Sequence, residues 1–358
     1  IAHAKMLERI GVLTKEEAET IVQELQHIIE LSRKGEFKIE REEEDGHTAI
    51  ENHLILKLGS LGKKIHTGRS RNDQVITALR LYYKEELKNC RNLIHEFIKG
   101  VNEFIAKYGQ VKLPGYTHTR KAMPSSIALW GGSFTESMRD NLKLINVVFE
   151  LIDQSPLGTG AGYGVPLKID REYMAKLLGF QKIQENSIYV QNSRGKFEST
   201  ILHALAQVMF DLNKIASDLI LFTIPELGYF KLPEELCTGS SIMPHKRNPD
   251  VLELVRGRYH GVLSYEFEVK SIISNLISGY HRDFQLTKSP TMKGFTVTQE
   301  CLSIMTLVFQ KLSVDKEKCE QGMTPEIYAT QEAYLLVEGG MPFRQAYQEV
   351  SKKYGKRQ

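Results

Sequence analysis

A chain of 358 residues is long enough to bury a large core shared by two or three domains. With 41% hydrophobic and 25% charged residues it reads as a soluble globular protein, and a net charge of only +3 gives no reason to expect nucleic acid as a partner. No apolar run reaches membrane-spanning length, no secretory leader pattern stands at the start, and Cys90, Cys237, Cys301 and Cys319, in no CxxC or zinc-like spacing, read as reduced thiols of a cytoplasmic protein. The chain opens at Ile1 without a methionine, so a piece lacking its ends is expected.

All eleven prolines lie at Pro114 or later, which leaves the first third free for long helices. The acidic run Glu42-Glu43-Glu44-Asp45 reads as a solvated helix end or loop. Between Asn72 and Tyr108, apolar residues at Leu79, Tyr83, Leu87, Ile94, Phe97, Val101, Phe104 and Tyr108 predict one long helix. Pro124-Ser125-Ser126 then opens a second, with the stripe Trp130, Phe134, Met138, Leu142, Ile145, Phe149 and Ile152. Gly158 to Gly164 mimics a dinucleotide loop but follows a helix rather than a strand, so it reads as a helix–helix connection. A third helix runs from about Ser199 to Phe222, with a seam at Leu202, Leu205, Met209, Leu212, Ala216 and Leu219. A fourth follows Pro249 through Leu276. Few stretches read as strands and no βαβ alternation occurs, so the fold class is a helical bundle. The stripes exceed what one small bundle must bury, which predicts an oligomer.

Four polar constellations interrupt the helices. His66-Thr67-Gly68-Arg69-Ser70-Arg71-Asn72-Asp73-Gln74 precedes the long helix. Ser70 or Asn72 can cap that helix, and two arginines beside free helix amides can equally bind an anion. Leu113-Pro114-Gly115-Tyr116-Thr117-His118-Thr119-Arg120 places a histidine in a tight turn, where structural use is commoner than acid–base use. Gly239-Ser240-Ser241-Ile242-Met243-Pro244-His245-Lys246-Arg247-Asn248-Pro249 concentrates hydroxyls and cations in a segment whose Gly and Pro oppose a continuous helix. Such a loop suits an anionic ligand, with a serine placed for chemistry. Asp250 and Glu253 follow at a helix start, where acids favour the dipole, and Glu253 can equally orient a histidine. Gly279-Tyr280-His281-Arg282-Asp283-Phe284-Gln285 reads either as the lining of a polar pocket or as a solvent-facing helix end. No GxSxG elbow surrounds Ser240, which argues against a serine hydrolase.

The run from Gly239 to Pro249 closely resembles the signature loop of the fumarase/aspartase lyase superfamily, whose members break a C–N or C–O bond and release fumarate. The wording of His66 to Gln74 is more specific and resembles argininosuccinate lyases. Glu44-Asp45-Gly46-His47 and Tyr280 to Gln285 continue the match, which runs from Ala2-His3-Ala4 to Pro342-Phe343-Arg344.

The resemblance implies an all-α, three-domain protomer: an N-terminal helical domain over 1–68 lacking its start, a central long-helix domain over 69–318 and a small C-terminal helical domain over 319–358, truncated at its end. It implies a homotetramer with a twenty-helix core and active sites shared by three chains. By position, Ser240 would be the general base, and Lys246 and Asn248 would support the aci-carboxylate formed when a proton leaves the carbon beside a carboxylate. His118, aligned by Glu253, would serve the departing side. Ser70, Arg71, Asn72, Thr117, Tyr280, Arg282 and Gln285 would bind the small-molecule substrate, with no metal and no cofactor.

The chain departs from the family's wording at Arg120, at Met123, at Ser193-Arg194-Gly195, which lacks the usual acid, and at Leu286-Thr287. The expected reaction is reversible β-elimination of argininosuccinate to arginine and fumarate, in arginine biosynthesis. The alternatives are adenylosuccinate lyase or another fumarate-releasing C–N lyase, to which Pro244-His245-Lys246-Arg247 is closer, and a non-catalytic, crystallin-like structural relative.

Overall fold

The computed structural model describes residues 1–354. In chain order its helices are α1 (Ala2–Arg9), α2 (Lys15–Arg33), α3 (Gly46–Leu58), α4 (Arg71–Tyr108), α5 (Ile127–Ile152), α6 (Arg171–Leu177), α7 (Ser187–Asn192), α8 (Lys196–Phe222), α9 (Asp250–Ile273), α10 (Lys288–Lys311), α11 (Lys316–Gly322), α12 (Ala329–Glu338) and α13 (Phe343–Tyr354). The strands are short: β1 (Lys112–Thr117) pairs antiparallel with β2 (Arg120–Ser126), β3 (Gln154–Ser155) parallel with β4 (Lys182–Ile183), and β5 (Phe230–Lys231) antiparallel with β6 (Ser313–Val314). The fold is all-α in class, and no described helix is long and apolar enough to cross a membrane.

The chain divides into two compact units. The first holds Ile1–Lys88, Asn146–Ile201 and Glu266–Thr291. Its N-terminal helices pack Met6, Leu7, Ile21, Leu54 and Ile65 into a core that also takes Leu157 and Met174. Each such aliphatic side chain contributes about 1.5–3 kcal/mol by leaving water. A capping box starts α2: Thr14 Oγ1 accepts from the Glu17 amide, and Glu17 returns a carboxylate to the Thr14 amide. Asp45 caps α3 by accepting from the His47 and Thr48 amides.

The second unit holds Asn89–Ile145, Leu202–Tyr265 and Met292–Gln358. Its core is built from the predicted stripes: Ile94, Phe97 and Val101 of α4, Met138 and Ile145 of α5, and the whole seam from Leu202 to Leu219 of α8 are buried. Phe309 of α10 meets Phe97 and Phe104 edge-on at 5.5 and 5.6 Å. Trp130 lies 5.1 Å from Phe230, and its indole N–H donates to Asp218 at 2.9 Å.

One local expectation needs correction. Pro124 and Ser125 do not open α5; they belong to β2, paired with Pro114 and Leu113. Ser126 alone does the capping, accepting from the Leu129 amide at 3.1 Å. The acidic run lies at a helix end, as expected, with Asp45 capping α3 and Glu44 also pairing with Arg71.

Candidate functional site

Within the first unit a cavity of about 630 Å³ opens beside the start of α4. Arg71, Asn72, Tyr280, Arg282 and Gln285, all predicted from sequence, line it together. The same wall carries Glu44, Asp45, His47 and Lys288, which the sequence reading did not place in the site. Lys288 had a usable signal: it stands three residues after Gln285, and a helical register would carry it to the same face. Burial holds the His47 imidazole below its ordinary pKa, with Asp45 opposing and Arg69, Arg71 and Lys288 adding to the effect.

The cap reading of the segment from His66 to Gln74 holds, and its Arg71 and Asn72 line the cavity. Ser70 is the helix cap, its Oγ accepting from the Asn72 amide at 3.2 Å, while Arg71 and Asn72 face the cavity. Asp73 makes this possible. It is fully buried, and its carboxylate accepts from the amides of Ser70 (3.1 Å), Gly158 (3.0 Å) and Gly160 (2.9 Å). The glycine turn mistaken most easily for a dinucleotide loop therefore serves as a clamp on the segment that carries Ser70, Arg71 and Asn72. Burial lifts the Asp73 pKa to about 6 against the pull of those amides and of Arg69.

Tyr280 is supported from behind. The Arg194 guanidinium, itself 4% exposed, lies over the rings of Tyr280 (5.4 Å) and Phe284 (4.8 Å). Beside Arg194 the buried acid is Glu198, one turn after Gly195. Its carboxylate accepts from the Gly195 amide at 2.6 Å; burial pushes its pKa up, and Arg194 and Arg80 pull it back. Gly195 has φ +76°, and a Cβ there would lie 2.2 Å from Ile273 Cγ2, so no other residue fits without movement.

The remaining candidates belong to the second unit and are differently built. Thr117 and His118 are exposed at the tip of the β1–β2 hairpin, where the sequence alone predicts a turn and no strands. His118 and Thr119 form its two-residue connection, with φ of 52° and 58°. That is the left-handed geometry a tight hairpin demands, here without glycine or asparagine, which is why no hairpin was legible. Ser240, Lys246 and Asn248 lie on a loop closed at its base by the reciprocal amide–carbonyl bonds of Thr238 and Asn248, at 3.0 and 2.8 Å. Ser240 Oγ accepts from the amides of Ile242 and Met243, while residues 241–247 are exposed. Glu253 is exposed on the first turn of α9. Among the described residues no hydrogen bond or ion pair joins His118 to Glu253.

In the first unit, Arg71, Arg282 and Lys288 are cations suited to carboxylates; separately, in the second unit, the loop and the hairpin carry a serine, an ammonium and an imidazole at Ser240, Lys246 and His118. Among the described residues no group of three or more His, Cys, Asp or Glu is placed to hold a metal ion.

A sequence model of the Lyase family matches residues 1–263. The argininosuccinate lyase of Thermotoga neapolitana is 55% identical over 356 residues, covering 99% of this chain and 89% of that protein. The argininosuccinate lyase of Sorangium cellulosum is 42% identical, covering 98% of this chain and 81% of the relative. The crystal structure of EDDS lyase in complex with formate shares the fold, with a TM-score of 0.86 at 24% identity, covering 98% of this chain and 69% of that one. With such identity along nearly its whole length, and with the family's motifs lining the cavity beside α4, the chain belongs to the argininosuccinate lyases, a family of carbon–nitrogen lyases.

Proposed function

We propose that this lyase splits argininosuccinate reversibly into arginine and fumarate by base-initiated β-elimination. The observation that carries the reading is the cationic cavity in which Arg71, Arg282 and Lys288 surround Asn72, Tyr280 and Gln285. These groups, with Ser70 and Thr117, hold the carboxylates and polar ends of the substrate. Ser240 removes the proton from the carbon beside a substrate carboxylate. That carbon acid is weak, so the resulting aci-carboxylate needs the charge of Lys246 and the amide of Asn248. His118, oriented by Glu253, protonates or relays to the departing nitrogen. The C–N bond breaks, the guanidinium leaves with arginine, and fumarate remains. No metal or organic cofactor enters these steps.

A neutral serine is a poor base, so the loop at Ser240 closes over bound substrate, excludes water and lowers the pKa of its hydroxyl. Its exposure in the chain alone supports such a closure. We place the chain in a homotetramer whose active sites draw on three protomers, each divided into the domains 1–68, 69–318 and 319–358. Exposed Leu129, Phe210, Leu254 and Leu263 on the helices of the second unit support burial against other copies. The pairing of His118 with Glu253 then arises between protomers. Four free cysteines support a cytoplasmic setting.

The test is fumarate release from argininosuccinate, followed by ultraviolet absorbance, with arginine measured in parallel. Equal amounts of the two products are the expected outcome. Release from adenylosuccinate alone would reassign the substrate, and release from neither by an intact oligomer would leave a non-catalytic relative.

A further inference from the structure

One carboxylate in the cavity has no part in the steps above. Glu44 reaches Arg71 Nη1 at 2.9 Å with one oxygen and Arg282 Nη2 at 4.0 Å with the other. A single side chain thus spans two of the cations that would receive substrate carboxylates. Its backbone has φ 60° and ψ −49°, a costly conformation for a residue with a side chain, held between the short helical turn Arg41–Glu43 and the capping residue Asp45. Asp45 also approaches Arg71, at 3.5 Å, but its Oδ1 is committed to the amides of His47 and Thr48. Glu44 has no such tie to α3 and is more than half exposed, so its carboxylate can leave.

The consequence follows from charge. Arg71, Arg282 and Lys288 against Glu44 and Asp45 leave the wall one positive charge in excess. A plain dicarboxylate can occupy the arginines only by displacing Glu44, whose freed charge then faces the ligand with no new partner. A ligand that carries a guanidinium along with its carboxylates offers that partner as it displaces the old one. We infer that Glu44 is a specificity-determining residue: it occupies the carboxylate subsite when the cavity is empty and favours ligands that bring a cation over dicarboxylates that do not. This deepens the proposed function and rests on it for the identity of the preferred ligand.

The experiment measures binding by calorimetry on the full chain in a Ser240→Ala background, which removes turnover, with and without Glu44→Gln. Succinate and argininosuccinate are the two ligands. With Glu44→Gln, succinate is expected to bind about tenfold tighter, as removal of one opposing surface charge at ion-pair distance allows, while argininosuccinate gains nothing or weakens. Glu44→Asp, which keeps the charge, should leave the order of preference as in the parent and also guards against a folding effect of the amide. Unchanged or weaker succinate binding would overturn the inference, and so would an equal gain for both ligands, because Glu44 would then compete without selecting. Turnover of argininosuccinate by the unaltered protein is measured separately. Its absence would count against the proposed function, whereas the succinate comparison reads Glu44 without any turnover.

Discussion

Asp73 is fully buried and ties three amides from two segments together, whereas Ser240, among the described residues, accepts from two amides of its own loop. The first arrangement fixes Ser70, Arg71 and Asn72 before any ligand arrives, so little ordering entropy is lost when a carboxylate binds. The second leaves residues 241–247 in water beside a half-buried Ser240, whose neutral hydroxyl is a poor base. Under the proposed function, recognition would be preorganised in this chain, and chemistry would wait for the loop to close. The same contrast separates Tyr280, backed by a buried arginine, from His118, exposed on a hairpin tip.

Substitution of Ser240 should break the contrast most visibly. Ser240→Ala is expected to lower the rate of fumarate release by three orders of magnitude or about that, while the circular dichroism melt stays within about 0.5 kcal/mol of the parent. Activity within tenfold of the parent would remove Ser240 from the base role. Asp73→Ala should do the reverse and act first on the fold. It leaves buried amides without an acceptor, at a cost of about 3 kcal/mol or more read from denaturant melts.

Asp73 also predicts a pH dependence. Its folded pKa of about 6 lies above the ordinary 3.8, so the folded state holds the proton more tightly. The contribution is fully present below the unfolded value and is lost as pH rises from about 4 through about 6, by up to about 3 kcal/mol. Asp73→Asn should flatten that part of the stability profile, and an unchanged slope would show that another group sets it. Arg71→Gln is expected to raise KM for argininosuccinate about tenfold or more with a smaller change in kcat, since it removes a charged contact of the preformed half. A pure kcat defect would move Arg71 to the chemical step. The smallest effect belongs to the hairpin: Thr119→Gly relieves a left-handed β-branched residue and should stabilise by about 1 kcal/mol.

What could be read without coordinates follows the same division. The long helices were legible because heptad-like stripes on α4, α5 and α8 must be buried, and the predicted ends of α4 and α8 fall within a few residues of the observed ones. Arg71, Asn72, Tyr280, Arg282 and Gln285 were legible as candidates because charged and amide side chains crowd turns there. Glu44, His47 and Lys288 were not placed beside them, since no local periodicity reports that α3, α4 and α10 begin around one cavity. The hairpin escaped because its turn uses histidine and threonine where glycine or asparagine is the usual sign. The clamp role of Gly158 and Gly160 was hidden for another reason: it depends on their amides rather than on any side chain.

Gly195 and Glu198 carry a consequence for how such a chain can change. The carboxylate that offsets Arg194 comes from Glu198, and Ile273 fills the space a side chain at 195 would need. An acid placed at 195 alone would collide with Ile273, and losing Glu198 alone would strand a buried cation. The two positions are therefore locked to each other and to 273. Either can be exchanged only in company, so a single acidic substitution at 195 should fail to fold where most substitutions on the exposed helix surface are tolerated.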